Sequence, residues 1–86
     1  MTRDEAAGLV AGALGDVAPE ADVRGIDPDG LLQDEIGLDS IDFLTVVNVV
    51  GEQAGLHIPE RDFPALVTFA GFVSYLVEGT GDDRRA

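Results

Sequence analysis

The sequence predicts an all-α fold, an irregular four-helix bundle with three long helices, one short helix and a long loop between helices 1 and 2. Three observations predict it. Apolar residues recur at helical spacing in three separate stretches. Gly and Pro punctuate the segments between those stretches. The Val-rich stretch in mid-chain, the most strand-like by composition, fits a period of 3.6 better than a period of two.

In the first stretch Ala6, Leu9, Val10, Ala13, Leu14 and Val17 fall at offsets 0, 3, 4, 7, 8 and 11, one face of a helix. Thr2 or Asp4 suits its N-cap, and Gly15 and Pro19 mark its decay. From Ala18 to Asp39 no period is sustained. Asp29-Gly30 reads as a turn, and Val23, Ile26, Leu31, Leu32 and Ile36 read as single side chains pinning a loop onto a core. So long a loop in so small a domain marks a functional segment.

Ser40 to Ala54 holds Val46, Val47, Val49 and Val50, and β-branched residues favour strands. Yet Phe43, Val46, Val47, Val50 and Ala54 lie at offsets 0, 3, 4, 7 and 11, again one helical face. Asp39 or Ser40 stands where an N-cap belongs, and Gly55 where a left-handed C-terminal residue belongs. Ile58-Pro59 ends an extended stretch. Pro59 to Leu66 holds at most a turn or two of helix, because Pro64 lacks an N–H. Thr68 caps a last helix whose face is Phe69, Phe72, Val73, Leu76 and Val77, with Gly79 at its end. Residues 1–80 are expected to form one domain and 81–86 a disordered tail.

Composition excludes several functions. The chain has 86 residues and a formal net charge of -12, from 17 Asp+Glu against 5 Lys+Arg. With a pI near 4.1, a nucleic-acid partner is not expected, because phosphates are repelled. No Cys means no disulfide, no thiolate metal site and no cysteine nucleophile, and one His supplies no His-rich metal cluster. No apolar run approaches the roughly 20 residues of a membrane span. The polar start Met1-Thr2-Arg3-Asp4-Glu5 does not read as a signal peptide. A cytoplasmic monomer is expected, with no metal site and no catalytic residues.

The segment Ile36-Gly37-Leu38-Asp39-Ser40-Ile41-Asp42 is where chemistry is to be sought. Ser flanked by Asp is also how an ordinary helix begins. A serine there is exposed, however, and surrounded by unpaired N–H groups. A phosphate ester on its hydroxyl would meet those donors and the positive end of the helix dipole. The neighbouring Asp residues repel an isolated phosphate and suit a divalent metal or a basic enzyme that delivers the group.

Leu32-Gln33-Asp34-Glu35-Ile36-Gly37-Leu38-Asp39-Ser40-Ile41-Asp42 resembles the acyl carrier protein pattern Leu-Gly-x-Asp-Ser-Leu-Asp with its preceding acidic residues. Ile58-Pro59-Glu60 is similar to that family's Ile-Pro-Asp/Glu, and Thr68-Phe69 to the Thr-Val that opens its last helix. The spacing needs no gap, and the likeness runs from about Ala6 to Val77. It implies an acyl-carrier-like domain with 4'-phosphopantetheine, taken from coenzyme A by a phosphopantetheinyl transferase, attached covalently to Ser40 beside Asp39. It implies a carrier without catalytic activity, holding acyl groups as thioesters. Partners would be an acyl ligase, a ketosynthase or other enzymes of fatty-acid, polyketide or related acyl biosynthesis. In that family the outer face of the second helix docks partners. Here the face and its approach comprise Asp39, Ile41, Asp42, Leu44, Thr45, Asn48 and Glu52.

The chain departs from that pattern. Thr45, Asn48, Gly51 and Gln53 stand where the second helix is usually richer in Glu, and acidity gathers instead at Asp27, Asp29, Asp34, Glu35, Asp39 and Asp42. A specialised carrier is therefore expected rather than a housekeeping one. The alternatives are a peptidyl or aminoacyl carrier, and an unmodified acidic helical module in which Ser40 only caps. Asp27-Pro28-Asp29-Gly30 looks like a calcium loop, but Gly30 as position 6 puts Gly25 and Ile36 where carboxylates are required. His57 reads as a solvated loop residue. Ser40 lacks the surroundings of a hydrolase nucleophile.

Overall fold

A computed structural model describes residues 1–80; the tail expected from residue 81 lies outside the described residues. In chain order the elements are α1 (Arg3–Val17), a 3₁₀ turn (Val23–Gly25), α2 (Leu32–Ile36), α3 (Ser40–Ala54), a 3₁₀ segment (Glu60–Leu66) and α4 (Phe69–Gly79). Among the described residues there is no strand, only one isolated bridge between Leu31 and Thr68. The predicted helical bundle is the fold that forms.

The three long helices supply most of the core. Ala6, Val10, Ala13 and Leu14 of α1 meet Val46, Val47 and Val50 of α3 and Phe72, Val73 and Leu76 of α4. Leu32, Leu38 and Leu66 complete it from the connections. No described polar or charged residue is buried. Folding therefore takes no charged side chain fully out of water, and each large buried apolar side chain contributes about 1.5–3 kcal/mol.

Local chemistry sets the helix ends. Thr2 forms a capping box at α1: its hydroxyl accepts from the Glu5 N–H and its own N–H donates to the Glu5 carboxylate. Thr68 caps α4 by accepting from the Gly71 N–H. Gly55 ends α3 with φ 71°, as its sequence position predicts.

The loop between α1 and α3 is more structured than its lack of period predicts. It contains the 3₁₀ turn, capped by Asp22, and the five-residue α2. A helix that short gives no repeat to read. It is held from outside: the Leu32 N–H donates to Val67 O at 2.7 Å, and Pro28 O accepts from the Ala70 N–H at 2.9 Å. Of the apolar residues expected to pin the loop, Leu32 is fully buried, while Val23, Ile26 and Ile36 pack partly. Leu31 is the exception and faces outward, because the bridge to Thr68 fixes its backbone while its neighbour Leu32 takes the core.

The Glu60–Leu66 segment confirms the short helix, as a 3₁₀ helix carrying Pro64. It is fastened by buried Leu66 and by Tyr75 of α4, whose hydroxyl donates to Asp62 Oδ2 at 2.7 Å. That hydrogen bond, helped by burial and by the repulsion of the Asp62 charge, pushes the Tyr75 phenol above its ordinary value; Arg61 opposes the shift. The bond's contribution to stability is complete below pH about 10 and is lost as pH rises through the higher folded-state midpoint. Tyr75 is the only Tyr and the chain has no Trp, so an ultraviolet titration reads it directly. Its midpoint is expected above that of free tyrosine, and Asp62→Asn should bring it down. An unshifted wild-type midpoint would remove this fastening.

Candidate functional site

The serine-bearing corner is built by three consecutive devices. Gly37 takes φ 71°, a left-handed conformation that reverses the chain at the end of α2 at little steric cost to glycine. Leu38 then turns into the core, with 5% of its surface exposed. Asp39 caps α3: its Oδ1 accepts from the Asp42 N–H at 2.7 Å, and its carbonyl accepts from the Phe43 N–H at 2.9 Å. Of the two capping candidates, Asp39 takes the role, and Ser40 becomes the first residue of the helix proper.

That choice frees the serine hydroxyl. The chain has six aliphatic hydroxyls, all among the described residues: Thr2, Ser40, Thr45, Thr68, Ser74 and Thr80. Thr2 and Thr68 accept from helix amides, Thr45 donates to Ile41 O, and Thr80 donates to Leu76 O. Ser74 accepts from Arg3 at 3.3 Å. Only Ser40, which is exposed, has a hydroxyl with no hydrogen-bond partner among the described residues.

The backbone around it is open as well. At the start of α4 the Ala70, Gly71 and Phe72 N–H groups are taken by Pro28 O, Thr68 Oγ1 and Thr68 O. At the start of α3 the cap takes those of Asp42 and Phe43, which leaves those of Ser40 and Ile41. A covalently attached anion at Ser40 therefore meets open amides and the positive end of a 15-residue helix.

The structure brings the other expected site residues onto one side of α3. Ile41 is 74% exposed and Leu44 45% exposed, two of the three large apolar side chains exposed among the described residues, and they lie close together at the start of α3. Thr45, Asn48 and Glu52 continue the exposed face, and Asp42 beside the cap is half-buried. The opposite face supplies the core valines, with half-buried Phe43 meeting Phe63 edge-to-face at 5.9 Å between ring centroids. Leu38 is the site-supporting residue that sequence reasoning passes over. Its only signal is an apolar residue between Gly37 and a capping Asp. No described helix is long and apolar enough to cross a membrane. Among the described residues no three potential ligands of the His, Cys, Asp or Glu type gather as a metal site would need.

A protein-family model described as a phosphopantetheine attachment site matches residues 6–76. The match runs from within α1 to within α4, takes in α2 and α3 whole, and includes the corner at Ser40.

The two neighbouring residues at this corner should behave oppositely in thermal or denaturant unfolding. Asp39→Ala removes the cap and should cost about 1 kcal/mol. Ser40→Ala should stay within about 0.5 kcal/mol of the parent, because no bond is lost. A destabilising Ser40→Ala with a neutral Asp39→Ala would reverse the assignment of the cap.

Proposed function

The chain belongs to the phosphopantetheine attachment family and is a phosphopantetheine-carrying carrier protein; we propose that it is an acyl carrier whose anchor is Ser40. The observation that carries this reading is the single unengaged hydroxyl at an open helix start. The covalent 4'-phosphopantetheine of the family supplies a terminal thiol that holds the acyl group as a thioester, a role no side chain fills in a protein without Cys.

The protein's own residues present and steer. Asp39 fixes the first turn of α3 and so holds Ser40 outward. The Ser40 and Ile41 amides and the helix dipole favour the phosphodiester charge that results, against the repulsion of Asp39 and Asp42. Ile41 and Leu44 offer partners an apolar contact within reach of the anchor, flanked by Asp39, Asp42, Thr45, Asn48 and Glu52. A net charge of -12 steers basic-rimmed partners, the phosphopantetheinyl transferase first and acyl-processing enzymes such as an acyl ligase or ketosynthase after it. None of these residues is assigned a catalytic step. The strong acidity and the Asp-Ser entry favour acyl cargo over peptidyl cargo.

Incubation with coenzyme A and a promiscuous phosphopantetheinyl transferase should raise the intact mass by one phosphopantetheine. Ser40→Ala should abolish the rise and Ser74→Ala should leave it intact. No rise with several transferases would instead mark an unmodified interaction module. Replacing Ile41 and Leu44 together by Ala should slow transfer from a partner roughly tenfold, on the scale of a few lost interface contacts. The melting temperature should hardly move. A large drop in melting temperature with unchanged transfer kinetics would place both side chains in the structural core.

A further inference from the structure

Two adjoining hollows lie along α1, away from the Ser40 corner, where the loop before α2 and the start of α4 meet it. The larger, about 380 Å³, is lined by Ala7, Gly8 and Ala11 of α1, by Ile26 and Pro28, by Phe69 and by Arg24. The smaller, about 260 Å³, shares Ala7, Pro28 and Phe69 and extends to Val73, Arg3 and Asp4. The shared residues join them into one trough. From Arg3 to Ala11 it follows about 12 Å of helix at 1.5 Å per residue. The chain leaves it unfilled: a Cβ added at Gly8 would meet no atom within 4 Å.

Arg24 is placed unusually for so acidic a chain. The carboxylates that flank it in sequence are turned onto backbone amides, Asp22 accepting from the Gly25 N–H and Asp27 from the Asp29 N–H. Glu35, which reaches the same loop, accepts from the Asp27 N–H. The three carboxylates of Asp22, Asp27 and Glu35 are thus turned onto loop backbone, and the loop's one arginine lies on the lining of an apolar trough. At the other end Arg3 donates to Ser74 Oγ, and the acidic Asp4 shares the lining.

The geometry points to a non-covalent binding site for a small apolar carboxylate, with its head group on Arg24 and its apolar body along Ala7, Pro28 and Phe69 towards Val73. The trough's size and mainly apolar lining match those of small-molecule sites, roughly 300–1,000 Å³ with a few placed polar groups. A guanidinium fork matches a carboxylate in shape. The net charge of -12 repels a doubly charged phosphate head more than a singly charged carboxylate, which favours the latter.

The test is an amide NMR titration of the unmodified full chain with decanoate and, separately, with decanol, both below their aggregation limits. Decanoate should shift the amides of Ala7, Gly8, Ala11 and Arg24 saturably, and decanol should bind about tenfold more weakly, as expected for loss of a charge-assisted contact. Arg24→Gln should weaken decanoate binding by a similar factor. Gly8→Leu, which fills the trough while favouring helix, should abolish binding without lowering the melting temperature. Three results would overturn the site: no saturable shift, equal affinity for decanol with Arg24→Gln harmless, or shifts centred on Ile41 and Leu44. Because no transferase or cofactor enters the measurement, its failure leaves the reading of Ser40 untouched.

Discussion

The hydrogen bond from the Asp42 N–H to the Asp39 carboxylate governs the serine-bearing corner of this protein. A helix start must satisfy or solvate its first amides. By taking that duty, Asp39 relieves the next residue of it. Had Ser40 been the cap, its hydroxyl would be occupied as those of Thr2 and Thr68 are. The left-handed turn at Gly37 and the burial of Leu38 brace the same arrangement from the α2 side. Which of two neighbouring polar residues closes the helix thus decides whether the Ser40 hydroxyl is left without a partner.

The two later long helices show the same problem solved in opposite ways. At the start of α4 the Ala70, Gly71 and Phe72 amides are taken by Pro28 O and Thr68, and this end docks the long loop. The start of α3 is open and faces outward. A wholly apolar core lets the helices pack without fully buried charges, so the acidic residues stay at or near the surface, where they repel one another. Ile41 and Leu44 are the exposed large apolar residues of α3, and they lie within the first turns after Ser40.

Much of this was legible in the chain. The offsets of Ala6 to Val17, Phe43 to Ala54 and Phe69 to Val77 identify α1, α3 and α4, because each spans enough turns for a period to repeat. In α3 the repeat outweighed the strand preference of four valines, since tertiary burial of one face contributes more than intrinsic propensity. The exposed positions on α3 followed from the same geometry. The five-residue α2 was invisible because a single turn has no repeat, and Leu31 and Leu32 were indistinguishable as neighbours of equal hydrophobicity.

The order of residues alone determined which side chains share a helical face, where those helices start and stop, and that one serine sits at such a start. These are local consequences of 3.6-residue geometry and of capping chemistry. Only the tertiary structure decided that Asp39 rather than Ser40 closes α3, that the Ser74 hydroxyl is engaged by Arg3, and that the loop is held by Val67 O and the Ala70 N–H. The last two depend on donors and acceptors that meet across segments distant in the chain, which no local pattern encodes; the cap is a contact only three residues long, for which the sequence offers two adjacent candidates.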